Sequence, residues 1–187
     1  MEVVYDVPLI SQHWDLDNWK RLGFDSWDDA EYWQRSSCGI LCIQEIAAFL
    51  NNANYSTAKL IREGQALDWY SDENGWSHDG LVHLIEKLNL KAERKTLALE
   101  NLKKALDENK IPIVSIKWAF KNKKSLKERL FFWKKYGGHL AVVVGYNEEG
   151  FYVNHTSKIA EENWKARLIP FDKFSAGYTG RAIIVSK

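Results

Sequence analysis

One cysteine and one histidine, about a hundred residues apart, are the side chains of this sequence best suited to covalent chemistry. Cys38 opens an apolar run at residues 38–50, and His139 opens a valine-rich run at residues 139–146. A thiol at the N-terminus of a helix lies at the positive end of the helix dipole, which favours the thiolate. Because a thiolate beside an imidazole is the core of a cysteine nucleophile, this pair indicates nucleophilic catalysis.

The elements expected to position the pair differ between the two halves of the chain. The first half is predicted to be mainly helical, with Ser26 and Ser37 as N-caps and one helix running from Cys38 to about residue 50. The second half is predicted to hold strands at residues 111–116, 139–146, 151–154, 167–169 and 182–186. Helices followed by a mostly antiparallel sheet predict an α+β fold, with a cleft where the two layers meet.

Size and charge exclude several classes of function. A chain of 187 residues fits a single domain. Its 26 basic and 25 acidic residues give a net charge of +1, so we expect neither nucleic-acid nor membrane-surface binding. No segment approaches the length of a membrane span, and residues 1–8 do not resemble a signal peptide. We expect a soluble protein; its compartment and oligomeric state stay open.

The remaining cysteine and the acidic residues indicate no further site. Cys42 lies one helical turn after Cys38, a spacing that makes a poor disulfide, and we expect it to be buried. The acidic residues 15–18 lack the glycine and glutamate of a calcium loop, so no metal is predicted. His78 and His83 are expected to be surface or capping residues, and His13 a bystander or part of a cleft lining.

The sequence resembles the C39-like group of papain-fold cysteine peptidases over nearly its whole length. The segments that carry the resemblance are residues 7–12 (VPLISQ), 38–39 (CG), 75–82 (GWSHDGLV), 138–146 (GHLAVVVGY) and 152–155 (YVNH). The resemblance implies a papain-like α+β domain over residues 1–187 that needs no cofactor. It makes Cys38 the nucleophile, His139 the general base and later acid, and Gln12 the side-chain donor to the oxyanion, with the Cys38 amide as the second donor.

Two features depart from the family pattern. An acidic, tryptophan-rich insertion at about residues 13–35 separates Gln12 from Cys38, which are usually close in sequence. The strand after the histidine usually carries an aspartate, where this chain has Asn154 and His155. Either residue is a candidate to orient the His139 ring.

Turn geometry favours His155 over Asn154. If residues 147–150 close a three-residue loop with Gly150 left-handed, His155 shares the sheet face of His139 and can accept its ring proton. A two-residue loop would select Asn154 instead. A histidine in that role is also used by peptidoglycan peptidases of the NlpC/P60 type, which serves here as an analogy.

The predicted function is hydrolysis of a peptide or related amide, with a peptide as the partner. Trp76, Trp14 and Gly138 are candidates to line the substrate cleft. The basic segment at residues 117–135 is either a lid or a contact for anionic substrates, or else a solvated amphipathic excursion. Because no transmembrane or nucleotide-binding region is present, we expect a free-standing domain. Two alternatives stay open: a catalytically silent peptide-binding module, and an amidase or acyl transferase acting on cell-wall peptides.

Overall fold

A computed structural model describes residues 2–117, 120, 138–157 and 164–187 of the chain. In its first half, apolar residues at helical spacing form short helices. The segment at about residues 13–35 holds a 3-10 turn at Leu16–Asn18 and the first two helices. The helices are α1 (Trp19–Leu22), α2 (Trp27–Ser36), α3 (Cys38–Asn51), α4 (Thr57–Ala66), α5 (His78–Lys87), α6 (Leu99–Asp107) and α7 (Phe171–Gly177). The last of these was not predicted.

The N-caps follow the sequence prediction with one exception. Ser26 accepts a hydrogen bond from the Asp29 N–H at 3.0 Å and begins α2 as expected. Ser37 occupies the N-cap position of α3, but its hydroxyl makes no capping bond. Its φ and ψ of −93° and 8° are not the extended values of a capping residue, so the predicted cap is wrong. Among the described residues, the buried Ser37 Oγ has no hydrogen-bond partner.

The strands form an antiparallel sheet that draws on both halves of the chain. The described strands are β1 (Val3–Val4), β2 (Tyr70–Ser71), β3 (Gly75–Trp76), β4 (Lys91–Thr96), β5 (Ile111–Ile116), β6 (His139–Tyr146), β7 (Gly150–His155), β8 (Trp164–Pro170) and β9 (Tyr178–Ser186). Their order in the main sheet is β4-β9-β5-β6-β7-β8, with β1 paired to β6. Strands β2 and β3 form a separate small hairpin. The α+β prediction is confirmed, although β1 and β4 come from the helical half.

Two hydrophobic clusters cover the two faces of this sheet. One contains Ile40 of α3, Leu84 of α5 and Val142 of β6. The other contains Val143 of the same strand and Phe174 of α7. Neighbouring residues of β6 therefore face different layers, as the alternation of side chains along a strand requires. The start of β6 lies where residues from both layers can meet.

The turn between β6 and β7 is shorter than predicted. The Asn147 N–H donates to the Gly150 carbonyl at 3.0 Å, and Tyr146 pairs with Phe151. Gly150 is not left-handed, so the expected three-residue loop is wrong. The loop observed is the two-residue one, which by itself would place Asn154 on the face of His139.

A β-bulge in β6 reverses that outcome. The pairing register shifts by one residue between Val143 and Gly145, and beyond the shift Val142 pairs with Asn154. A one-residue shift exchanges the two faces of a strand. His155 therefore shares a face with His139, as expected, but because of the bulge rather than the turn.

Candidate active site

Cys38 lies where the start of α3 meets the start of β6. The backbone N–H of Leu140, the residue after His139, and those of Gly39 and Cys38 itself reach the thiol and lower its pKa, but burial acts more strongly and raises it. The packing is close, because a Cβ on Gly39 would lie 3.0 Å from Leu81 and 3.1 Å from Leu140. The expected preference for a thiolate is therefore wrong for this geometry, since loss of hydration outweighs the N–H groups of the helix start.

The rings of His139 and His155 are in contact. Their centroids are 4.5 Å apart and their planes are tilted by 31°. The Ser157 N–H donates to Nδ1 of His155 at 3.3 Å, which assigns the ring proton of neutral His155 to Nε2. Nε2 of His139 is buried and, within the described part of the chain, has no hydrogen-bond partner. The contact is thus between two tilted rings, rather than the proton-accepting arrangement expected from the sequence.

Both imidazoles are held neutral by their surroundings. Burial lowers the pKa of His139 well below its ordinary value, and the nearby His155 lowers it further. Burial also lowers the pKa of His155, to about 4. Phe120 contributes to this dry environment: it is only 2% exposed and packs with its ring edge-on to His155 and stacked on Phe174. The site therefore combines a neutral thiol with neutral imidazoles.

Asn154, the other candidate to orient His139, faces α3 and the N-terminal segment. Its Nδ2 donates to the Val7 carbonyl at 3.1 Å and to Oε2 of Glu45 at 3.3 Å. Its Oδ1 accepts from the Ala166 N–H at 2.8 Å. These contacts hold the Asn154 amide on the sheet face that packs against α3.

Gln12 is buried between the end of β7 and the junction of α2 with α3. Its N–H donates to the Thr156 carbonyl at 3.0 Å, and the Thr156 hydroxyl donates to its Oε1 at 3.3 Å. Its Nε2 donates to the Gln34 carbonyl at 2.9 Å. Thr156 directly follows His155, and Gln34 lies four residues before Cys38 in the preceding helix. The chain thus returns Gln12 to the site region despite the insertion.

The three candidate cleft residues have different surroundings. Trp76 is only 8% exposed and donates its Nε1–H to the Ser36 carbonyl at 2.8 Å, so most of its ring belongs to the core. Trp14 is half-buried and stacks on Phe24 at 5.3 Å. Gly138 is exposed, and a Cβ there would meet no atom within 4 Å. The predicted basic segment lies, apart from Lys117 and Phe120, outside the described residues.

Two features near the site were missed in the sequence. Glu45 is fully buried in α3, and its only sequence signal is an acidic residue inside an apolar run, two helical turns after Cys38. His78 is half-buried rather than a surface residue, and its Nε2 lies 2.8 Å from the hydroxyl of buried Ser115. Cys42 is buried as predicted. The described residues contain no group of three or more potential metal ligands.

Three solved structures share this fold. A putative C39-like peptidase from Bacillus anthracis is 17% identical with a TM-score of 0.68, covering 100% of this chain and 98% of the other. The peptidase domain of Streptococcus ComA, a bi-functional ABC transporter involved in quorum sensing, is 20% identical with a TM-score of 0.59, covering 81% and 91%. A double-glycine-motif protease from an AMS/PCAT transporter, solved with its leader peptide, is 16% identical with a TM-score of 0.56, covering 99% and 95%. The fold is thus the papain-like α+β fold of C39 peptidase domains, as predicted.

Sequence comparison assigns the family. Residues 31–187 match the model of the Peptidase C39 family, which leaves most of the insertion before the match. The chain belongs to the Peptidase C39 family, and the resemblance stated from its motifs is confirmed. No curated protein sequence matches the chain significantly. In the described part of the chain, no helix has the length and apolar character needed to cross a membrane.

Proposed function

We propose that this protein is a thiol hydrolase that cleaves a peptide or related amide bond with Cys38 as the nucleophile. The observation that carries the proposal is the meeting of the Cys38 thiol with the start of β6, where the N–H of Leu140 reaches the sulfur and His139 comes one residue earlier. Membership of a peptidase family supports the reaction class. A relative solved with a leader peptide supports a peptide as the substrate.

The reaction follows from the chemistry of these side chains. Sγ of Cys38 attacks the carbonyl carbon while the thiol proton passes to a ring nitrogen of neutral His139. The Cys38 N–H and the second hydrogen of Gln12 Nε2 hold the oxyanion. The C–N bond then breaks as the imidazolium protonates the leaving amine. Water attacks the thioester, transfers a proton through His139 to the sulfur, and releases the acid.

His155 acts in this proposal by holding the His139 ring in place through their ring contact. It does not stabilise a positive charge on that ring, because the proximity of His155 lowers the pKa of His139. The resting pair is therefore a neutral thiol and a neutral imidazole. Proton transfer accompanies the attack on the substrate, as general base catalysis requires.

Acetylation by p-nitrophenyl acetate tests the proposal without knowledge of the natural substrate. The ester transfers its acetyl group to a thiol and releases p-nitrophenolate, and peptide mapping separates Cys38 from Cys42. We expect Cys38 to be acetylated, and His139→Ala to slow this step by about 100-fold or more. Cys42→Ala, the matched control on the same helix, should keep the wild-type rate. A peptide library then defines the amide substrate.

A silent peptide-binding module is the second candidate function. It is favoured by one observation: burial raises the pKa of the Cys38 thiol and lowers that of His139, and both shifts oppose an ion pair. Slow acetylation of Cys38 at equal rates in the wild type and in His139→Ala would contradict the hydrolase and support this module.

A further inference from the structure

A buried pair of polar side chains fastens the N-terminal segment that carries Gln12. Tyr5 is bonded to β6 through the Val144 carbonyl, and Gln12 is bonded to Thr156 at the end of β7. Between these two points, the Ile10 N–H donates to Oε1 of Glu45 at 2.9 Å. The segment at residues 7–12 is thus attached to α3 at its middle and to β7 at its end.

Asn154 completes the attachment from the sheet. Its Nδ2 donates to the Val7 carbonyl and to Oε2 of Glu45, and its Oδ1 accepts from the Ala166 N–H. Both oxygens of Glu45 therefore accept from N–H donors, one on the segment and one on β7. Glu45 and Asn154 are each 0% exposed, so these bonds are shielded from water.

Glu45 connects the segment to the nucleophile through a rigid element. It lies seven residues after Cys38 in α3, a spacing that places both side chains on one helix face about 10 Å apart along the axis. Burial of a carboxyl group costs free energy of folding unless hydrogen bonds to its partners offset the loss of hydration. Here an apolar side chain of similar size would leave the Ile10 N–H and the Asn154 amide without this acceptor, and buried backbone N–H groups require one.

We infer that Glu45, with Asn154, is a positioning residue that sets the place of Gln12 relative to the Cys38 thiol. This inference rests on the proposed function, in which Gln12 is a donor to the oxyanion. The insertion between Gln12 and Cys38 replaces the short connection usual in the family, so tertiary contacts must fix the position of Gln12 relative to Cys38. Glu45 makes such a contact from the helix that begins with Cys38.

Two thiol reagents separate positioning from general damage. Acetylation of Cys38 by p-nitrophenyl acetate passes through an oxyanion, whereas alkylation by iodoacetamide displaces iodide at a saturated carbon and forms none. Gln12→Ala should slow acetylation by about 100-fold, as loss of one oxyanion donor does, and leave alkylation unchanged. We expect Glu45→Gln to slow acetylation by about 10- to 100-fold with the same selectivity. The double variant should be no slower than Gln12→Ala alone, because both changes act on one interaction.

Gln44→Ala is the matched control. Gln44 is 6% exposed in the same helix and is bonded to Tyr55 and Thr57 on another side. Its replacement should lower the free energy of unfolding without changing the ratio of the two reaction rates. If Glu45→Gln does not fold, Asn154→Ser provides the test. It removes the amide that donates to Val7 and Glu45, and it should slow acetylation while leaving alkylation unchanged.

The outcomes distinguish this inference from the proposed function. If wild-type Cys38 is acetylated no faster than in His139→Ala, the proposed function fails. If the wild type and Gln12→Ala behave as expected but Glu45→Gln acetylates at the wild-type rate, only the positioning role fails. Equal slowing of both reagents in Glu45→Gln would likewise overturn the inference and leave Glu45 a stabilising residue alone.

Discussion

A neighbouring imidazole and a neighbouring carboxylate shift the pKa of a histidine in opposite directions. His155 lies where the C39 pattern usually has aspartate, and it lowers the pKa of His139. A carboxylate there would raise that pKa, because an opposite charge favours the imidazolium. At the scale of single residues, the contact of His155 with His139 therefore has the opposite electrostatic effect to that of an aspartate.

His155→Asp tests this difference directly. We expect the pKa of His139 to rise, so that the imidazolium stabilises the Cys38 thiolate. The pH midpoint of Cys38 alkylation by iodoacetamide should then fall by about one unit or more. In the wild type it should lie above the ordinary thiol value of about 8.5, because burial raises the pKa of Cys38. His155→Asn, which is neutral, serves as the control; a wild-type midpoint below about 7 would contradict the neutral pair.

Among the elements, β6 makes the contacts that decide the site. It carries His139 at its start, the bulge that selects His155, and the pairing with β1. That pairing requires Gly145, because a Cβ at this position would lie 2.1 Å from the Val3 carbonyl oxygen and 2.8 Å from the Val4 Cα. Backbone atoms cannot move aside at such distances without separating the strands.

Gly145→Ala should therefore detach β1 from β6. We expect a loss of about 1–3 kcal/mol in the free energy of unfolding, measured with urea, together with faster proteolysis at the N-terminus. Val4→Ala is the control, because Val4 is 47% exposed and its truncation should change stability by less than about 0.5 kcal/mol. Unchanged stability in Gly145→Ala would show that β1 does not depend on this close approach.

For the whole molecule, buried ionisable groups of two kinds set the pH range of stability. Burial raises the pKa of Glu45 from 4.5 to about 8, so folding binds a proton there and stability falls as pH rises through this window. Burial lowers the pKa of His155 from 6.5 to about 4, so stability falls as pH drops through that window. The two effects oppose each other below about pH 6.5, and only Glu45 acts above it.

Stability should therefore decline between about pH 6.5 and 8.5, and Glu45→Gln should remove the decline. The free energy of unfolding of the wild type should fall by about 2 kcal/mol. Each pH unit between about 6.5 and the Glu45 pKa of about 8 contributes about 1.36 kcal/mol. Urea unfolding at the two pH values measures it. Buried Cys42, whose pKa is raised partly by Glu45, is neutral in both states over most of this range. A decline of equal size in Glu45→Gln would assign it to another group.

Local sequence patterns predicted the elements well and the contacts between them less well. Apolar periodicity predicted α3 and β6, and Ser26 predicted the start of α2, because periodicity and helix caps depend on residues that are close in sequence. The two-residue turn and the bulge of β6 were not predicted, since a bulge depends on how two strands fit together. The burial of Glu45 was not predicted either. An acidic residue in an apolar helix is expected to be exposed to solvent until its hydrogen-bond partners are known.

The sequence by itself determined the α+β class, the family and the order of Cys38 and His139, because residue types, spacing and periodicity are local properties of the chain. Only the tertiary structure decided that His155 rather than Asn154 contacts His139, that Gln12 is hydrogen-bonded to Gln34 and Thr156, and that burial raises the pKa of the Cys38 thiol and lowers that of His139. Each of these depends on strand register, on contacts between distant segments or on burial. A linear sequence contains the residues for such effects but not the distances that produce them.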